Sequence, residues 1–306
     1  MSNITAAMVK DLRDKTGAGM MDCKSALAES GGDMEAAIDW LRKKGLSKAA
    51  KKAGRVAAEG LIGIAVDKHA AALVEVNAET DFVARNDEFK DFVKTAAGLA
   101  LEAGGDAEKL LAKPMGGGTV DSTLKELIAK IGENMSVRRA TAISVDHGVV
   151  ASYVHNAAGP ELGKIGVLVA LKSHGDTDKL MALGKQIAMH VAAAAPIALT
   201  PEHVSEDILE RERAVQRDIA AQSGKPANVV EKMIEGRMRK FYEEAVLLNQ
   251  VFVIDGETPI SKVVEKAAKE LGTPIELTGF VRYSVGEGVE KVDSDFADEV
   301  AKMAGH

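Results

Sequence analysis

The hydrophobic period of this chain changes at Gly60, and that change constrains the fold more than any other feature of the sequence. Upstream, apolar residues recur every three or four positions, as one face of a helix requires. Downstream, "LIGIAVDKHAAALVEV" (residues 61–76) sets two short apolar runs around an Asp67-Lys68-His69 turn, the pattern of an antiparallel hairpin. A helix carrying Phe89, Phe92, Val93 and Ala96 follows it. The same order returns in residues 149–171, "VVASYVHNAAGPELGKIGVLVAL", where a second hairpin precedes a helix opened by Asp176 and striped by Leu180, Leu183, Ile187 and Val191. Hairpin then helix, twice, predicts an α+β fold of two related antiparallel subdomains, each sheet covered on one face. At 306 residues there is chain enough for about two such domains with small helical additions.

Residues 1–45 predict three short helices. Thr5 can cap the first, with Met8, Val9 and Leu12 inward and Gly17 as its stop; Met20, Cys23 and Leu27 stripe the second. Asp33 can cap the third, with Met34, Ala37, Ile38 and Leu41 buried and Gly45 ending it. The Ala- and Lys-rich "LSKAAKKAGRVAAE" (46–59) reads as a helical or flexible linker, and the Gly-rich stretch at 103–120 as a surface loop. After Thr200-Pro201 come two charged helices broken at "SGKP" (223–226). One carries Ile208, Val215 and Ile219 and the other Val230, Met233, Ile234 and Phe241, which makes a coiled-coil-like hairpin. Strand-like "QVFVI" (250–254) and "IELTGFVRYSV" (275–285) place this hairpin as an insertion in the second subdomain. The tail is expected to form a last helix with Phe296, Val300 and Met303 on one face.

Several function classes lack their signals. There is no G-x-x-x-x-G-K-[ST] loop and no third glycine beside Gly17-Ala18-Gly19 or Gly286-Glu287-Gly288, so neither nucleotide fingerprint is met. The seven histidines form no H-x-x-x-H pair, there is no G-x-S-x-G elbow, and the single Cys23 sits in a helical stripe. No enzymatic role, metal site or cofactor is therefore expected. A net charge of −7 argues against broad nucleic-acid binding, although Arg42, Lys43, Lys44, Lys48, Lys51, Lys52 and Arg55 form one basic run. Without interleaved aromatics, that run reads first as a solvated helix face. No apolar run reaches the ~20 residues needed to span a bilayer, and neither a signal-peptide core nor a transit pattern opens the chain, so cytoplasmic location is expected.

The sharpest local feature is Thr80-Asp81-Phe82-Val83, within "NAETDFVARNDEF". Two readings stand. Asp81 caps the following helix while Phe82 tucks under the sheet, or Phe82 stands exposed on a loop for insertion into a partner. Met20-Met21 reads as one core residue and one soft partner contact. His155, at a strand end, reads as an ordinary surface or turn histidine.

Two stretches, "LRDKTGAGMMDCKSAL" (12–27) and "EVNAETDFVARN" (75–86), resemble the signatures of the elongation factor Ts family, the guanine-nucleotide exchange factors of elongation factor Tu. The resemblance continues through "KIGENMSVRR" (130–139), "AMHVAAAAP" (188–196), "QSGKPANVVEKMIEGRM" (222–238) and "VGEGVEKVDSDFADEVA" (285–301). It implies an N-terminal module like a ubiquitin-associated (UBA) domain with a basic linker over 1–55 and a core subdomain over 56–144. A second core subdomain over 145–284, with the helical hairpin inserted at about 203–245, and a C-terminal helical module over 285–306 complete the expected organisation. By the same resemblance, Asp81 and Phe82, flanked by Thr80 and Val83, intrude on the GTPase near its magnesium and nucleotide. His155 contacts the GTPase on its phosphate-binding side, Ile131 and Gly132 are core contacts, and Met20, Met21 and Lys24 form the contact face of the N-terminal module. Ala78, Trp40 and the long Gly-rich 103–120 stretch depart from the family pattern, and none touches Asp81 or Phe82. Self-association through the hairpin is a further expectation. The competing reading is a UBA-like or RNA-binding adaptor without exchange activity, motivated by the three-helix module and the basic linker.

Overall fold

A computed structural model describes residues 4–222 and 226–290. The first helices are α1 (Ala6–Thr16), α2 (Met20–Glu29) and α3 (Met34–Lys52). The Thr5 hydroxyl accepts the Met8 N–H, Gly17 closes α1 in the left-handed region, and the Asp33 carboxylate accepts the Ala36 N–H. Val9, Leu12, Cys23, Ala26, Leu27 and Ala37 make their shared core. Gly45 does not end α3, which runs two further turns to Lys52. It is instead buried where α3 crosses α6 (Val120–Ile131), and an added Cβ would come within 3.2 Å of Ala129. Close helix packing, not termination, explains this glycine. The first half of the expected linker, 46–52, is therefore helix.

Among the described residues, eight strands follow the change of period. β1 (Glu59–Asp67) and β2 (Ala70–Ala78) form the first hairpin, and β5 (Met135–Ser144) pairs with the far side of β2. β6 (Gly148–Gly159) and β7 (Leu162–Lys172) form the second hairpin, and β8 (Glu276–Ser284) pairs with the far side of β7. All pairings between these strands are antiparallel. Strand pairing between the two three-stranded halves runs through Ile62↔Gly163 and Gly63↔Leu162.

The expectation that each sheet is covered on one face needs correction. Alternate residues of β1 and β2 face different partners. Leu61, Ala72, Val74 and Val76 pack under α4 (Asp87–Glu102), while Ile62, Ile64, Ala71 and Leu73 meet Val150, Leu168 and Ala170 of the other half. A side chain added at Gly166 on β7 would strike Ile62 and Leu73 at 2.5 and 3.0 Å, so the halves lie face to face. Burial on both faces explains why these strands read as near-continuous apolar runs.

The Gly-rich stretch is more ordered than a loop. It holds α5 (Ala107–Ala112), capped by Asp106 and anchored by fully buried Leu110, then the small hairpin β3 (Pro114–Met115) and β4 (Gly118–Thr119). Thr119 and Ser122 form a capping box that opens α6. α7 (Thr177–Ala194) starts from Asp176 as its spacing predicts. Thr200-Pro201 begins a 3-10 turn, and the hairpin helices α8 (Glu206–Ala221) and α9 (Ala227–Ala245) follow. The inward stripe of α8 differs from expectation by a rotation of the helix. Leu209 and Ala220 are buried, and Ile208, Val215 and Ile219 are exposed. Residues 250–254 are not a strand: a single bridge joins Val251 to Pro259, with Phe252 inward. α10 (Ile260–Leu271) then packs its apolar stripe under β8. Residues 223–225 of the expected break, and 291–306 of the expected C-terminal module with Phe296, Val300 and Met303, lie outside the described residues.

Candidate functional site

β2 ends at Ala78, and the chain crosses to α4 through Glu79–Asn86. This crossing is held from behind. Val83 and Ala84, in a single 3-10 turn, are buried in the core under α4. The Asn86 side chain accepts the Phe89 N–H and caps α4, so the capping reading of Asp81 is overturned. Phe82 does not tuck under the sheet either: 73% of its surface is exposed. With Val83 taking the inward position, the residue before it in the turn must face out. Among Thr80–Val83, then, Val83 anchors while Thr80, Asp81 and Phe82 remain at or near the surface.

Asp81 pairs with Arg85 at 2.8 Å, and the Arg85 guanidinium lies 6.0 Å from the Phe82 ring centre. Thr80 is held more firmly. Its backbone N–H donates to Glu133 Oε2 at 2.9 Å and its hydroxyl to Glu133 Oε1 at 2.8 Å. Glu79 in turn accepts the Asn134 N–H, and the Asn134 amide donates to the Arg55 carbonyl at 2.7 Å.

These bonds tie Glu133, the residue after Ile131 and Gly132, to Thr80, the residue before Asp81, although some fifty residues separate them in sequence. α6 ends at Ile131, and Gly132 turns the chain in the left-handed region, at φ 91°. The Gly132 carbonyl accepts a hydrogen bond from Lys52 at the end of α3. Lys130 pairs with Glu88 at 2.6 Å and lies against Gly17, in the turn before α2. The N-terminal helices thus meet the core where α6 ends, along a groove of ≈ 240 Å³ lined in part by Thr16, Ala18, Ile38, Leu41 and Ala129.

Met20, Met21 and Lys24 are all exposed on the first turns of α2, the methionines by 59% and 72%. The expectation of one buried methionine fails because Met20, though on the stripe of Cys23 and Leu27, stands at the first residue of the helix, beyond the packed cluster. His155 is not brought to this group. It is exposed on β6, in the other half, with the Tyr153 hydroxyl 3.1 Å from its Nδ1.

Three contributors escape a reading of the sequence: Glu133, Asn134 and Lys52. The register of β2 against β5 reveals the first two, and the crossing of α3 over α6 the third. Arg85 carried a signal, since it follows Asp81 by one helical turn. Part of the basic run is engaged within the protein: Lys44 pairs with Asp22, Arg42 with Glu126, Arg55 with Glu79. Among the described residues no cluster of His, Cys, Asp and Glu could hold a metal ion, and no helix is long and apolar enough to cross a membrane.

Residues 79–287, more than half of the chain, match the family described as Elongation factor TS. The chain is 62% identical over 307 residues to the elongation factor Ts of Rhodospirillum centenum, covering 100% of both chains. It is 62% identical over 304 residues to that of Rhodospirillum rubrum, covering 98% of both, and 61% identical over 307 residues to that of Paramagnetospirillum magneticum, covering 100% of this chain and 98% of the relative.

Proposed function

Because the chain belongs to the elongation factor Ts family, we propose that it binds elongation factor Tu in its GDP form and promotes release of GDP, so that GTP can bind. The observation that carries this reading is Phe82, an apolar ring held out to solvent on a loop that is itself clamped. Such a side chain costs the free protein solvent-exposed apolar surface and is repaid only in a pocket outside it.

The exchange needs no bond chemistry from this chain. A protein that binds the nucleotide-free GTPase more tightly than the GDP form must, by linkage, weaken GDP by the same factor. Each ~1.4 kcal/mol of that difference is tenfold in nucleotide affinity. In this reading Phe82 enters an apolar slot between elements of the GTPase that shift, and Asp81 disturbs the contacts around the partner's magnesium and phosphates. Met20, Met21 and Lys24 supply affinity from the N-terminal module, Ile131 and Gly132 add contact beside the tip, and His155 touches the GTPase separately. The engaged state of Lys44, Arg42 and Arg55 favours this reading over an RNA-binding adaptor. The exposed stripe Ile208, Val215 and Ile219 supports self-association through the α8–α9 hairpin, which light scattering measures. The setting for all of this is the cytoplasm.

Stopped-flow release of labelled GDP from elongation factor Tu tests the wedge. Phe82→Ala should lose most of the stimulation, since removing such an anchor costs ~2 kcal/mol or more. Stimulation equal to wild type would refute it. Deleting residues 1–54 should weaken complex formation while the core stays folded, and unchanged affinity would remove the proposed role of the module.

A further inference from the structure

We propose that Glu133 is a positioning residue for the Asp81–Phe82 tip: its carboxylate fixes Thr80 and thereby sets where Asp81 and Phe82 stand before any partner arrives. The inference rests on the exchange reading above.

The strand register is the first argument. Backbone pairing of β2 with β5 ends at Ala78↔Met135. The same register continued outward would set Glu79 opposite Asn134 and Thr80 opposite Glu133. At those positions the backbone N–H groups go to the opposing carboxylates instead, Asn134 to Glu79 and Thr80 to Glu133. Two side chains therefore extend the ladder beyond its last backbone pair, up to the residue before Asp81.

The geometry of the clamp is the second argument. Both Glu133 oxygens are used, one by the Thr80 N–H and one by its hydroxyl, so position and rotation of Thr80 are fixed together. Hydrogen bonds to a carboxylate are shorter and about twice as strong as neutral ones. Glu133 is itself held on both sides. Gly132 before it is tied to Lys52, and Met135, two residues after it, is buried in the core. The tip has little else. Among the described residues Asp81 bonds along its own turn to Arg85, whose backbone N–H also donates to the Phe82 carbonyl, and the Phe82 ring is exposed. Without the Thr80 clamp the tip would swing on Val83 and Ala84 alone, and ordering it would then have to be paid for on binding.

The test uses full-length wild type, Glu133→Ala and Glu133→Gln. The amide of Gln can accept the Thr80 N–H and meet its hydroxyl, so it should rescue most of what Ala loses. With Glu133→Ala the maximal rate of GDP release at saturating factor should fall roughly tenfold, the rate equivalent of ~1.4 kcal/mol of lost preorganisation. Thermal unfolding should move little. Hydrogen–deuterium exchange at the amides of residues 80–85 in the free protein should quicken in Glu133→Ala and not in Glu133→Gln. A maximal rate equal to wild type, or unchanged amide exchange in Glu133→Ala, would overturn the inference. A wild type that failed to speed GDP release would overturn the exchange reading and the rate consequence with it, while the amide exchange would still decide whether Glu133 holds the tip.

Discussion

Arg85 donates to Asp81 across one turn at 2.8 Å, and both side chains reach solvent, 74% and 46% exposed. An exposed pair at this spacing contributes only about 0.3–0.5 kcal/mol. It can therefore open readily when Asp81 meets another group. Arg85→Ala should leave the unfolding temperature almost unchanged and alter the half-saturating concentration in GDP release by no more than about twofold. A much larger loss would show that Arg85 itself touches the GTPase.

Gly45 sets how closely the N-terminal helices approach the core. Its buried Cα faces Ala129 on α6, and a Cβ there would already be tight at 3.2 Å. Gly45→Leu should force α3 away from α6 and break the path from Lys52 to Gly132. The expected result is a core that unfolds as before, faster proteolysis between residues 53 and 58, and weaker binding of elongation factor Tu. Protection of that segment equal to wild type would show that the crossing tolerates a side chain.

This glycine also marks a limit of what the sequence carries. Gly17 and Gly45 look alike along the chain, each at the end of an apolar stripe; one ends its helix and the other lies inside it, because only the second meets another helix. The capping residues Thr5, Asp33 and Asp176 were legible, since each acts within three residues of itself. The oddness of Phe82 was legible too, but the residues left open whether its ring tucks under the sheet or stands exposed, and only the buried Val83 beside it decides for exposure. The clamp from Glu133 was not legible, because a strand register is set by pairing across the sheet and leaves no local periodicity. The facing of the two sheet halves was hidden for the same reason. For α8, Ile208 and Leu209 are equally apolar, and only the contacts of α9 decide which is inward.

Glu75 is fully buried on β2, where Arg138 and Arg139 donate to its two oxygens and the Gly286 N–H joins them. Arg139 also stacks on Tyr283, its guanidinium 4.0 Å from the ring centre, and Arg138 donates to the Glu287 carbonyl. This cluster pins residues 284–287, the end of β8 and the turn after it, to the first half of the fold. Glu75→Ala should destabilise by about 3–5 kcal/mol, because it leaves two guanidinium groups and an N–H without their shared acceptor. Urea unfolding measures the loss, and cleavage just after residue 284 should quicken with it. A loss under ~1 kcal/mol would mean that water replaces the carboxylate at little cost.

His190 gives the fold a dependence on pH. It is fully buried on α7, its Nδ1 accepting the Val253 N–H at 3.3 Å while Nε2 lies 2.9 Å from the Gln250 Oε1. The ring is therefore neutral, with its proton on Nε2; a second proton on Nδ1 would face the Val253 donor. Burial pushes the pKa below the ordinary value of 6.5, against a smaller upward pull from Gln250. A depressed folded pKa means that the unfolded chain takes up the proton first as pH falls. The stability contribution is complete above the unfolded value near 6.5, and it declines as pH drops from there towards the folded value. Unfolding free energy measured by urea from about pH 7 to about pH 5 should fall more steeply in wild type than in His190→Gln, which carries no titrating ring. Parallel slopes would show that another group carries the linkage. Because His190 holds Val253 and Gln250 against α7, the first region to loosen should be 250–254, where Val251, Val253 and Ile254 already face solvent, and amide exchange there should rise before global unfolding.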